Sequence, residues 1–264
     1  VTGRRLRIIG CQLLFLALCI LGWQFVPQIG ALRDISHVFD PYFVSSPTRV
    51  AKTVGDLATG SNGSPEIWSY LGETMLTSIL GTFIGIALGA LSGLVLSNFA
   101  FLSAVIRPFI VAANATPRVA LIPVVVIICG VSRTTSIVIA VLVVYFVAFF
   151  NAYEGGTTIP PQILQNAKLL GARNLRMLYH VRQPFVLAWT IASLPLAATF
   201  AIISVVTGEI LTGFHGVGSL LATADITGNA SLTFAVVFYL ALVGLLVVIV
   251  AEAMRRRVLH WWGR

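Results

Sequence analysis

The 264-residue chain is 58% hydrophobic and 10% charged, with a net charge of +8 and a mean hydropathy of +0.95. That balance leaves too little polar surface for a soluble globule of this length and places the chain in a bilayer. Its basic residues sit in short clusters at the ends of apolar runs, a pattern that signals membrane topology and argues against nucleic-acid binding.

Arg4, Arg5 and Arg7 precede an apolar run from Ile8 to Val26. At about 19 residues it is closer to a full span than to the apolar core of a signal peptide, and no small-x-small cleavage site follows. Ile8-Ile9-Gly10-Cys11 has the look of a lipobox, but almost no hydrophobic segment precedes that cysteine. The run reads as an uncleaved first span. Cys11, Cys19 and Cys129 lie within apolar runs without metal-ligand spacing and read as small buried side chains.

Residues 28–67 form the longest polar connection, with irregular chain marked by Asp34, His37, Asp40, Pro41 and Pro47. Ser46-Pro47-Thr48 opens a short helix to about Leu57, with Val50, Val54 and Leu57 on one face, expected to lie at the outer membrane surface. Asn62-Gly63-Ser64-Pro65 is a turn. The second span, Trp68 to Leu96, carries Gly81, Gly85, Gly89, Ala90 and Gly93, a smooth strip that lets a neighbouring helix approach.

The third span, Leu102 to Gly130, is broken by Pro108, Pro117 and Pro123 and holds Asn114 and Arg118. Prolines free backbone carbonyls, which is tolerated where protein or a water-filled cavity receives them. An arginine at this depth is costly unless it snorkels, pairs with a carboxylate or faces an aqueous path, and these readings stay open. The fourth span, Thr134 to Asn151, is rich in Val and Ile and reads as lipid-facing. A fifth span from Phe185 to Leu211, a polar Gly-rich connection from Thr212 to Asn229, and a sixth span from Ala230 to Met254 follow. Arg255-Arg256-Arg257 and Trp261-Trp262 form an interfacial anchor.

Six spans put both termini on one side. With that side cytoplasmic, the inner segments hold Arg4, Arg5, Arg7, Arg107, Lys168, Arg173, Arg176, Arg182, Arg255, Arg256, Arg257 and Arg264, against Arg33, Arg49, Lys52 and Arg133 outside. The bias gives an N-in, C-in orientation. It also makes Pro160–Pro184, the polar and basic island between the fourth and fifth spans, cytoplasmic. Pro160-Pro161 starts a helix with Ile163, Leu164, Ala167 and Leu170 on one period. Gly171 ends or bends it, and Asn174 begins a second helix with Leu175, Leu178 and Tyr179 together. Such a pair forms either a knob that docks in another protein or an interfacial pair lying on lipid, favoured by Lys168, Arg173, Arg176 and Arg182.

Leu164-Gln165-Asn166-Ala167-Lys168-Leu169-Leu170-Gly171-Ala172, followed by Val181-Arg182-Gln183-Pro184, resembles the EAA loop of binding-protein-dependent ABC importer permeases. Ala167 and Gly171 match the motif. Gln165 stands where glutamate is usual, Asn166 replaces the first alanine and Gln183 stands where leucine is usual. Ser46-Pro47 with its helix, Thr116-Pro117-Arg118-Val119-Ala120-Leu121-Ile122-Pro123, and Gly208-Glu209-Ile210-Leu211 before Gly216-Val217-Gly218 resemble the nitrate, sulfonate, taurine and bicarbonate branch.

The resemblance implies an all-α, polytopic type I importer permease of MetI-like architecture, multi-pass in the bacterial inner membrane, forming one permease domain over 1–264. Within it, 1–27 is the first span, 28–67 the extracytoplasmic segment, 68–254 the core spans, 159–184 the coupling loop and 255–264 the tail. It implies two cytoplasmic ATPases carrying the ATP and Mg, a second permease (an identical chain or a different one), an extracytoplasmic substrate-binding protein and surrounding lipid. It implies no cofactor on this chain and no enzymatic activity. Leu164, Gln165, Ala167, Lys168, Leu170, Gly171, Ala172 and Arg173 are the ATPase-coupling residues. Asn114, Arg118, Asn151, Ser204, Thr207 and Glu209 are the expected pathway residues, Glu209 as a gate, as the partner of Arg118, or reaching water. Arg118 points toward a small anion as cargo; a vitamin precursor or aromatic acid is the alternative. Among other classes, a secondary transporter or channel lacks the expected internal repeat. A membrane enzyme lacks clustered acidic or histidine residues, since His37, His180, His215 and His260 are scattered, and no P-loop is present.

Overall fold

The computed structural model describes residues 2–25 and 44–260. The connection through Asp34, His37, Asp40 and Pro41 and the Trp261–Trp262 anchor lie outside the described residues. Every regular element among those described is helical, and the chain divides into two units, residues 1–69 with 220–240 and residues 70–219 with 241–264.

In the first unit, α1 (Thr2–Phe25) is long and apolar enough to cross a membrane, and its spanning stretch buries none of its residues. Cys11 and Cys19 are therefore exposed, contrary to the buried reading; Cys129 is half-buried. Ser46 caps α2 (Pro47–Thr59), with Pro47 in its first turn, and Gly60 in the left-handed region closes it. The face through Val50 and Leu57 is buried in protein rather than laid on a membrane surface. It is held by Trp68 and Tyr239, whose Nε1 and hydroxyl donate to the carbonyls of Ala58 (3.0 Å) and Val54 (2.9 Å). Asn62 and Gly63 both take positive φ, as the Asn-Gly turn requires.

In the second unit, α3 (Ile67–Asn98) packs its glycine strip against α6 (Arg133–Thr157). A Cβ on Gly85 would stand 2.7 Å from that of Val144, and one on Gly93 would stand 2.6 Å from that of Ala152. The sequence marks α6 as lipid-facing, yet half of its spanning window is buried, the largest share among the spans. Its Ala140 and Val144 form a core with Ala197, Ala201 and Val205 of α10 (Leu194–Thr212). Branched aliphatic side chains pack as readily against helices as against lipid, so composition does not separate the two surroundings.

The third span is not one rod. α4 (Ala100–Ala115) and a 3₁₀ turn (Arg118–Leu121) running into α5 (Ile122–Cys129) meet at 90°. Thr116 and Pro117 are both extended, as expected where a proline excludes the helical conformation from its predecessor. Pro108 sits inside α4 without ending it, and Pro123 occupies the first turn of α5. Five helices pass as spans, and the bent pair is the sixth if it is counted as one crossing.

The island folds as α7 (Pro161–Leu169) and α8 (Asn174–Met177). α8 is not a free-standing second helix. It continues through a π turn (Leu178–Arg182) into α9 (Gln183–Ala192). Pro184 lacks an N–H and crowds the carbonyl four residues earlier, and a widened turn relieves that crowding. The fifth span is also interrupted at Ser193, between α9 and α10, where Pro195 stands in the first turn of α10. The connection after it contains α11 (Val217–Ile226), and α12 (Ala230–Val258) completes the chain.

Gly171 ends α7 at φ +81°. Its N–H donates to the Lys168 carbonyl (3.0 Å) and that of Ala172 to the Ala167 carbonyl (2.9 Å), the paired bonds of a Schellman cap. A Cβ here would meet nothing within 4 Å, so the demand for glycine comes from the backbone alone. Gly171→Ala is expected to cost about 1 kcal/mol, read as a lowered melting temperature in detergent, whereas Gly171→Asn stays nearer the parent.

Candidate functional site

Because α4 turns away at Thr116–Pro117, the C-terminal end of α4, the 3₁₀ turn and α5 enclose a cavity of about 420 Å³ against α6 and α10. Four of the six expected pathway residues line it: Asn114, Arg118, Ser204 and Thr207. Thr116 adds a hydroxyl, and the rest of the lining is apolar, including Val119, Ile122, Leu142, Phe200 and Ile203. Ser204 and Thr207 donate to carbonyls of their own helix, those of Ala201 (2.9 Å) and Ile203 (2.7 Å), which satisfies their donors and leaves oxygen lone pairs for a solute.

Among the described residues Arg118 has no carboxylate partner. Its Nη2 donates to Asn114 Oδ1, four residues back across the extended Thr116–Pro117 link, and its guanidinium lies over the Phe146 ring, 5.5 Å from the centroid. Its Nε is buried and has no hydrogen-bond partner among the described residues. A buried N–H without an acceptor is costly. Phe146 carries no signal in the sequence, since nothing distinguishes it from the other four aromatics of α6, Tyr145, Phe149, Phe150 and Tyr153.

Two expected pathway residues lie elsewhere. Asn151 donates to the Val147 carbonyl of its own helix (2.8 Å) and does not line the cavity. Glu209 is fully buried and does not meet Arg118. Thr74 Oγ1 donates to both of its oxygens (2.9 Å each), the Gly218 N–H donates to Oε2 (2.9 Å), and the Val217 N–H donates to Thr74 Oγ1 (2.9 Å). Glu209 and Thr74 thus take the first two N–H groups of α11, donors that a helix cannot satisfy internally. The Arg118-pairing and water-reaching readings of Glu209 are corrected: the carboxylate ties α10, α3 and the start of α11 together. Missing from the sequence reading was Thr74, which nothing short of the fold brings next to Glu209.

The residues expected to couple to the ATPase form a largely exposed edge. α7 has no buried residue, and Leu169 and Leu170 are 86% and 88% exposed, with Leu175 and Tyr179 also turned outward.

Residues 67–260 match the family described as the binding-protein-dependent transport system inner membrane component. The chain belongs to this family. It is a multi-pass permease of an ABC importer, whose ATP hydrolysis belongs to a partner subunit and whose small solute comes from a substrate-binding protein. The permease is similar to a probable ABC transporter permease protein of Haemophilus influenzae, at 30% identity over 88% of this chain and 90% of that one. Among its other relatives are the formylaminopyrimidine transport permease ThiX of Halalkalibacterium halodurans (24%, over 84% and 86%) and the taurine transport permease TauC of Escherichia coli (21%, over 86% and 83%). Its fold is that of a chain in inward-facing crystals of the MetNI methionine ABC transporter, with a TM-score of 0.65 at 16% identity over 73% of this chain and 95% of that one.

Proposed function

We propose that the permease carries a small organic solute with a flat, largely apolar body and few hydrogen-bonding groups, of the pyrimidine vitamin-precursor type. The observation that carries this reading is the cavity. Its lining is mostly apolar, and Arg118 is already held by Asn114 and Phe146, so the site offers the remaining N–H groups of a single guanidinium and a few hydroxyl acceptors among apolar walls. The similarity to a formylaminopyrimidine permease supports it. A second reading, a sulfonate or other small anion, draws on the positive charge of Arg118 and on the taurine relative.

In this reading two permeases, identical or not, surround the path and two ATPases sit beneath them. Leu164, Gln165, Ala167, Lys168, Leu170, Gly171, Ala172 and Arg173 transmit ATPase closure, and rocking of the spans alternates access. The deciding experiment is uptake in cells expressing the complete transporter, with labelled formylaminopyrimidine and labelled taurine. Pyrimidine uptake that excess taurine does not compete supports the organic reading; uptake of taurine alone overturns it. Arg118→Ala, with the complex still assembled, is expected to lower uptake about tenfold or more, the worth of a hydrogen bond to a charged donor. Unchanged uptake would remove Arg118 from the path.

A further inference from the structure

A cavity of about 700 Å³ lies between the end of α3 and the island. One wall is apolar, made by Leu94 and Val95 in the last turns of a spanning helix and by Phe99 just after it; the other carries Lys168, Arg173 and Arg182. Arg182 Nη1 donates to the Ser97 carbonyl (3.2 Å) in the last turn of α3, which fixes one guanidinium beside the cavity. Among the described residues none of the three cations has an ion-pair partner, and Lys168 and Arg173 make no side-chain hydrogen bond. The surrounding sequence supplies no counter-charge. Residues 160–184 contain four Lys or Arg and no carboxylate, and Glu154 is the sole acidic residue between Glu73 and Glu209.

We propose that this cavity holds the phosphate headgroup of an anionic phospholipid, with its first acyl carbons along Leu94, Val95 and Phe99. Converging cations ask for an anion, and basic pockets between spanning helices are suited to acidic headgroups. The apolar wall selects an amphiphile over a free ion. It also selects lipid over an acidic protein segment, because Val95 belongs to a membrane-spanning helix and is 43% exposed, and Phe99, the first residue after that helix, is 60% exposed. The bound lipid would tie the island to α3. The proposal does not depend on which cargo the permease carries.

The test is native mass spectrometry of the full-length permease in detergent, titrated with phosphatidylglycerol or phosphatidylcholine of the same acyl chains. The parent is expected to retain phosphatidylglycerol preferentially, and the K168Q/R173Q double variant to lose roughly tenfold of that preference. R176Q, a cation outside the cavity, is expected to keep it. Should the double variant fail to elute as a single species, R173Q alone, compared with R173K, reads the same loss and its rescue. Displacement of the lipid by millimolar inorganic phosphate would show a simple anion site and overturn the proposal. So would equal loss in R176Q, absence of any preference in the parent, or a double variant that keeps the lipid but no longer copurifies with the ATPase.

Discussion

Glu209→Ala is expected to destabilise the permease by about 3 kcal/mol, seen as a large drop in melting temperature in detergent and loss of the single-species elution peak. The carboxylate accepts from two buried donors, the Thr74 hydroxyl and the Gly218 N–H. Alanine leaves both without partners, each at a cost of about 1–3 kcal/mol, and opens a void where no neighbour stands ready to collapse. The surroundings are built around this side chain: a Cβ on Gly216 would collide with the Glu209 carboxyl group, and one on Gly218 with the Val206 carbonyl and the Glu209 Cβ. Glu209→Gln keeps the shape and one acceptor oxygen but points an NH₂ at donors, so it falls between Ala and the parent. Thr74→Val is expected to resemble Glu209→Ala, because the same hydroxyl accepts from the Val217 N–H and donates to Glu209. A Glu209→Ala protein with parental stability but lost transport would instead assign Glu209 to the pathway.

Much of the architecture was legible because a bilayer leaves few options. Spans are set by apolar length, and α3 and α12 lie close to their expected bounds, whereas α6 runs on past Asn151 to Thr157. The glycines of α3 carried real packing information, since spacing by four residues places them on one strip whichever neighbour they meet. What failed were judgements about surroundings. Val and Ile in α6 are compatible with lipid or with protein, and only the arrival of α3 and α10 on its two sides decides between them. The break at Thr116–Pro117 was visible as prolines, but its 90° angle was not. The even span count that puts both termini on one side treats that bent pair as one crossing.

The candidate site divides in the same way. Asn114 and Arg118 are four residues apart on the chain and meet through local geometry, so sequence finds them together. Ser204 and Thr207 join them only through packing of α10, and Phe146 only through α6. Glu209 was misread because a carboxylate in a span suggests a partner cation. Its actual partners are a hydroxyl 135 residues away and the start of a helix hidden in a Gly-rich connection.

Gly89→Leu is expected to prevent formation of the packed unit, and Gly89→Ala to cost about 1–3 kcal/mol. A Cβ at position 89 would lie 2.5 Å from the Tyr145 carbonyl oxygen, 2.8 Å from the Ala148 Cβ and 2.8 Å from the Phe149 nitrogen. Two of those three atoms are backbone, so no rotamer change relieves the clash, and the helices must part. In a bilayer, separation forfeits the van der Waals contact that holds spans together, since lipid chains offer no hydrophobic drive to restore it. Gly81 provides the contrast. Its Cβ would collide first with that of Ala140, a side-chain atom. Gly81→Ala is therefore expected to be rescued in large part by Ala140→Gly, whereas Gly89→Ala is expected to gain little from Ala148→Gly, because the Tyr145 carbonyl stays in place. Gly72, with nothing within 4 Å of its Cβ position, should accept alanine without loss. Melting temperatures of these six proteins in one detergent complete the comparison. Rescue at position 89 equal to that at 81 would mean that side chains rather than backbone set the approach of α3 to α6.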